Sequence, residues 1–204
     1  MNVSRKRKAL LVKLAAVLAG IVLLLGAAWL LRGSIFRTLV TYEAGVDLGS
    51  ASVRPFPPLA EEIARVQGED IEILAAAAGD MTSKMLVFEL RGKGQSARSV
   101  AETGIANCEG YAALYARILA VLVEDRGLSD RYEVRHVRGV QRFLGIDFQS
   151  NDLMPPPYRD HDFVVVVDRE KDEVVLAADP NLHDYFGILE VDVGVEGRKW
   201  QAER

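Results

Sequence analysis

The eighteen residues from Leu14 to Leu31, LAAVLAGIVLLLGAAWLL, carry no charged side chain. As a helix they span roughly 27 Å, close to the hydrocarbon thickness of a bilayer. A run that is apolar on every side is a poor fit to the amphipathic helix of a globular surface. Arg5, Lys6, Arg7 and Lys8 precede it, and Lys13 stands at its edge, where a long stem lets the ammonium group snorkel to the interface. A basic N-terminal flank keeps that end in the cytoplasm and sends the rest of the chain outward, to the periplasm or beyond. Two fates fit the run. One is a retained signal anchor; the other is a signal peptide cleaved near small residues such as Gly26 and Ala28. Continuation through Trp29, Leu30 and Leu31 makes it longer than a usual signal core and favours the anchor. A buried core helix is a third reading, which the basic cluster fits poorly.

The charge balance changes after this region. Residues 1–37 hold seven Lys or Arg and no acid, so beyond residue 37 the chain has 18 basic and 29 acidic residues, a formal charge of −11. An acidic exported domain argues against nucleic acid as a partner, because phosphate binding needs a basic face. The single cysteine rules out an intramolecular disulfide, so the domain holds together by its core alone. At 204 residues the chain has room for one globular domain plus its anchor. The expected organisation is a basic stub and transmembrane anchor over 1–33, a juxtamembrane linker over 34–57, and a domain over 58–204 whose entrance GSASVRPFPP marks.

Within the domain, LAEEIARVQ after Pro57-Pro58 has helical spacing at Leu59, Ile63 and Val66. A second helix is expected over 69–78, ended by Gly79. Residues 81–91 are ambiguous between strand and helix, Gly92 to Ser96 form a loop, and Ser96 to Glu102 form a short helix closed by Gly104. Tyr111, Leu114, Tyr115, Ile118, Leu119 and Leu122 recur at steps of three and four, which predicts an amphipathic helix over 108–124. Alternation over 131–143 predicts a strand. Three successive prolines make 151–160 a loop, placed to shape a cleft just before His161. Phe163–Val167 and Val174–Ala178, joined by REKDE, form a hairpin.

Cys108 falls at the start of the 108–124 helix. Unpaired N–H groups and the helix dipole there favour a thiolate, and the same N–H groups can hold an oxyanion. Glu109 would repel a thiolate, so its side chain should point away. The alternative is a buried structural cysteine, the commoner role for a lone one. A nucleophile also needs a base. His136 lies in a strand pattern, His183 in a loop after DPNL, and His161 where the proline loop meets a buried strand. If the hairpin turn has an odd number of residues centred on Glu170, paired positions sum to 340, and His161 lies opposite Asp179 on one face; an even loop puts them on opposite faces. Asp179-Pro180 also reads as a strand-ending turn, and Asp160 and Asp162 as solvent-exposed. No pair among the three histidines and their neighbouring acids has a recognised metal-ligand spacing. No phosphate loop or Gly-x-Ser-x-Gly elbow occurs, and neither metal nor cofactor is expected.

The blocks NCEGYAALYARIL, DHDFVVVVD and LAADPNL, in this order, resemble those of the transglutaminase-like superfamily: a Cys at a helix start followed by Gly-Tyr-Ala, a His heading a strand, and an Asp-Pro ending the next strand. The resemblance covers roughly residues 58–185. It implies an α+β, papain-like fold in which a helix carrying the cysteine packs on an antiparallel sheet carrying His and Asp. It also implies Cys108 as nucleophile, His161 as general base and acid, and Asp179 as the residue that orients His161. The family often has Trp two residues after the His, where this chain has Phe163. Gln95 and Asn107 are the candidates for completing an oxyanion hole. The expected activity is hydrolysis of an amide or peptide bond in a protein or peptide substrate. Transamidation and a non-catalytic, membrane-tethered binding or assembly module are the alternatives.

Overall fold

A computed structural model describes residues 3–54, 56–90, 96–147 and 160–194. The chain forms two compact units, residues 1–38 and 39–204. The first is built on helix α1 (Val3–Leu30) and most of α2 (Arg32–Leu39). Leu11–Leu30 has a mean hydropathy of 2.5 and none of it is buried, so this one helix is long and apolar enough to cross a membrane and is not a core helix. Arg32 donates to the Trp29 carbonyl at 2.8 Å and lies over its indole ring.

The second unit is mixed α and β. In chain order it contains β1 (Val40–Ser50), a short 3-10 turn (Pro57–Leu59), α3 (Ala60–Arg65), α4 (Ile71–Met85), β2 (Val87–Phe88), α5 (Ala97–Thr103), β3 (Ile105–Ala106) and α6 (Cys108–Asp125). Then follow β4 (Tyr132–Phe143), β5 (Ile146–Asp147), β6 (His161–Asp168), β7 (Glu173–Ala178), α7 (Pro180–Phe186) and β8 (Asp192–Val193). The main sheet runs β7-β6-β4-β1-β8, with β5 beside β4. All its pairings are antiparallel except β1 with β8. β2 and β3 make a separate parallel pair.

Helix α6 packs on β4 and β6, with α4, α5 and α7 also against it. Enclosed this way, it is less amphipathic than its sequence pattern predicts. Tyr111, Leu114, Tyr115, Ile118, Leu119 and Leu122 are fully buried, and so is Ala112. Each large apolar side chain withdrawn from water contributes about 1.5–3 kcal/mol. Both α5 and α6 start on side-chain caps: Ser96 accepts from the Ser99 N–H, and Asn107 accepts from the Gly110 N–H at 3.2 Å.

Three sequence expectations are corrected here. The segment read as a linker over 34–57 contains β1, a strand between β4 and β8. Bulges between Ala44 and Val46 and between Asp47 and Gly49 break its alternation, and Tyr42 is its one fully buried large side chain. The pattern of a half-buried strand is therefore faint. Helix α4 does not stop at Gly79 but runs through it to Met85. That glycine serves close packing, since a Cβ there would meet the His183 ring at 2.8 Å.

The third correction is the hairpin register. Val164, Val165 and Val166 pair with Ala178, Ala177 and Leu176, while Val167 and Asp168 pair with Val174 and Glu173. Next to the turn the paired numbers sum to 341, the parity that would separate His161 from Asp179. A bulge at Val175 then shifts the sum to 342 and restores the shared face. Asp179 lies two residues along from the position opposite His161, a diagonal that long side chains can span.

Gly139 of β4 pairs with Ala44 on one side and His161 on the other. A Cβ at this position would collide with the Glu43 carbonyl oxygen and lie 2.9 Å from the Phe163 ring. Gly139→Ala is expected to cost about 1–3 kcal/mol by overpacking, read as a fall in the thermal midpoint followed by circular dichroism. An unchanged midpoint would show that β1 and β4 can separate there without cost.

Candidate active site

Three elements bring Cys108, His161 and Asp179 together. Cys108 is the first residue of α6, His161 the first of β6, and Asp179 the cap of α7. The Asp-Pro pair is thus more than a strand-ending turn. Pro180 takes the first helical position, where its missing N–H is not needed. Asp179 Oδ1 accepts from the N–H groups of Asn181 and Leu182 at 3.0 and 3.3 Å. Those bonds fix the carboxylate and turn Oδ2 toward the sheet.

His161 Nε2 lies 2.7 Å from Asp179 Oδ2. Cys108 also acts on the same imidazole, favouring its charged form. Burial works against an imidazolium, but the charge and hydrogen bond of Asp179, followed by the contact with Cys108, push His161 up to about 10. Asp179 is fully buried, which alone would raise its carboxyl. The charge and hydrogen bond of His161, with the Tyr42 hydroxyl and the Leu182 N–H, bring it below the usual carboxylate value. The pair is therefore held as imidazolium and carboxylate through neutral pH.

At the start of α6 the N–H groups of Cys108 and Glu109 have no protein partner among the described residues, as the first turn of a helix leaves them. Asn107, a sequence candidate for the oxyanion hole, uses its side-chain oxygen as the helix cap. Gln95, the other candidate, lies outside the described residues, as do the loop at 92–95 and residues 151–159 of the proline loop. Glu109 is turned toward Arg138, 3.3 Å away. Arg138 also makes a two-pronged contact with Asp162 at 2.8 and 3.0 Å. Asp162 is buried rather than solvated, and His136 approaches it at 3.4 Å. His183 pairs with Asp80 at 2.9 Å. Neither of these histidines belongs to the Cys108 cluster.

Sequence reasoning missed Tyr42 and Gln141. The Tyr42 hydroxyl donates to Asp179 Oδ2 at 2.6 Å, and Gln141 Nε2 donates to the Tyr42 oxygen at 2.7 Å. The two residues are directly opposed on β1 and β4. The consecutive strand formers Leu39-Val40-Thr41-Tyr42 were the available signal, hidden by the glycines that follow.

The arrangement sets a base hydrogen-bonded to an orienting acid, with a thiol that acts on the same imidazole at a helix start whose first N–H groups have no partner among the described residues. Compared with family models, curated proteins and solved structures, the chain matches none.

Proposed function

We propose that this chain is a membrane-anchored cysteine hydrolase of the transglutaminase-like type, acting on an amide or peptide bond. The hydrogen bond of His161 to the buried Asp179, with Cys108 acting on the same imidazole, carries the reading. In the reaction, Cys108 Sγ attacks the carbonyl carbon as a thiolate whose proton His161 already carries. The tetrahedral oxyanion faces the N–H groups of Cys108 and Glu109. His161 then gives its proton to the departing amine, leaving a thioester. Water attacks the thioester and loses a proton to His161, and collapse releases the acid and leaves the Cys108 thiolate beside the imidazolium. Asp179 holds the imidazole throughout and keeps its charge. The apolar Leu11–Leu30 helix serves as the anchor, with its basic end in the cytoplasm and the domain outside.

Cys108 is the only cysteine, so alkylation of the whole protein reports a single site. With iodoacetamide at pH 6, the rate is expected to exceed that of a free cysteine by roughly tenfold or more, and to lose that excess in His161→Ala. A wild-type rate equal to that of free cysteine at this pH sinks the enzyme reading.

A further inference from the structure

We infer that Tyr42, with its hydroxyl aligned by Gln141, is a positioning residue that sets how much of the Asp179 carboxylate is shared with His161. The inference rests on the proposed cysteine mechanism and adds two residues from strands outside the three sequence blocks. Tyr42 Oη and His161 Nε2 meet the same oxygen, Asp179 Oδ2, at 2.6 and 2.7 Å. The other oxygen is taken by the α7 backbone. Because Gln141 donates to the phenol oxygen, the hydroxyl proton is directed at Oδ2, an acceptor-only atom when ionised. The ring is fixed as well. It is fully buried and stands edge-on to His161 at 5.7 Å and to Phe163 at 5.2 Å between ring centres.

The plainer account is that any buried phenol takes the nearest acceptor. The same core argues against that necessity. Tyr115 is also fully buried, and its hydroxyl has no partner among the described residues. Tyr42 instead has two partners, one of them the oxygen that His161 uses. Two donors on one oxygen divide its charge, so the hydroxyl tempers the hold of Asp179 on the imidazolium. Because the α7 N–H groups pin Oδ1, removing the hydroxyl leaves the carboxylate in place and returns its full charge to His161.

The test uses the whole protein in detergent, with iodoacetamide as probe and the alkylation rate of Cys108 followed against pH. The upper inflection, where His161 loses its proton, is the readout. In Tyr42→Phe it should move up by roughly half a pH unit or more, the scale set by one hydrogen bond to a charged group. Gln141→Leu, which leaves the ring in place, should move it in the same direction by less. An unchanged or lowered inflection in a folded Tyr42→Phe protein overturns the inference. If that variant does not fold, Gln141→Leu decides by the same criterion. His161→Ala separates the two levels. If it abolishes the upper inflection while Tyr42→Phe leaves it unmoved, only the role of Tyr42 fails. If the wild-type profile is indifferent to His161→Ala, the cysteine mechanism fails and this inference with it.

Discussion

A fragment starting at residue 58 is expected not to fold, whereas one starting at residue 39 folds cooperatively. The boundary suggested by composition falls after GSASVRPFPP, but the strand before it belongs to the sheet. β1 pairs with β4 from Val40–Phe143 to Ser50–Arg135 and carries β8 on its other edge. Cutting at 58 strips one edge of β4 of its ladder, leaving backbone N–H and C=O groups unpaired beside a packed helix. It also removes Tyr42, whose complete burial is worth about 1.5–3 kcal/mol and whose hydroxyl satisfies Asp179 Oδ2. Arg117 would lose the carbonyls of Ser52 and Arg54, which its guanidinium holds at 2.7 and 2.6 Å. A domain of this size is stable by about 5–15 kcal/mol, and these losses together are of that order. Thermal unfolding of the two fragments by circular dichroism reads the difference. A cooperative transition in 58–204 within a few degrees of that in 39–204 would mean that β1 is dispensable.

The contrast between β1 and α6 shows what the sequence made legible. Helix α6 is announced by a capping Asn, an acid in the first turn and large apolar residues at every third or fourth position. Its neighbours only complete the burial that the pattern implies. β1 has no such autonomy. Its glycines and acids fit a strand only because β4 lies beside it with bulges that absorb the irregular spacing, and a partner about a hundred residues downstream leaves no mark in a local window. The short α7 escaped for a different reason: with seven residues it has too few turns for periodicity, so Asp179-Pro180 read as a turn when it is a cap.

The site was legible by chemistry more than by geometry. The order of Cys108, His161 and Asp179, each at an element boundary, nominated all three through the family resemblance; His161 meets Asp179, and Cys108 acts on the same imidazole. The register argument reached the correct shared face through a turn of the wrong parity, which the bulge at Val175 reverses. A hairpin pattern specifies the alternation of side chains within each strand, but it does not count the residues that a bulge inserts. The polar support from β1 and β4 was invisible because Tyr42 and Gln141 become partners only through long-range strand pairing.

The second large effect is expected at Asp179→Asn, and its signature is a dependence on pH. Asparagine caps a helix about as well as aspartate, so α7 keeps its start, but the charge facing His161 is gone. In the wild type, Asp179 holds His161 at about 10 when folded, against 6.5 for an imidazole in the unfolded chain. A raised value stabilises the fold fully below about pH 6.5, and that contribution is lost as pH rises toward 10. Asp179 is lowered from 3.8, so its contribution is present above about pH 4 and is lost as pH falls through the folded value. The pair therefore stabilises the wild type most between about pH 4 and 6.5. Asp179→Asn should be less stable there by a few kcal/mol, of the order a shift of several pH units represents. The gap should narrow from pH 6.5 upward and be smallest near pH 10, where the wild-type imidazole is also neutral. Urea unfolding of both proteins from pH 5 to 9.5 reads it, with titrations elsewhere cancelling in the difference. The excess alkylation of Cys108 at pH 6 should fall in the same variant, because an imidazole without its carboxylate is a weaker acceptor for the thiol proton. A gap of constant size across that range would mean that Asp179 serves α7 and the packing around it, not the charge on His161.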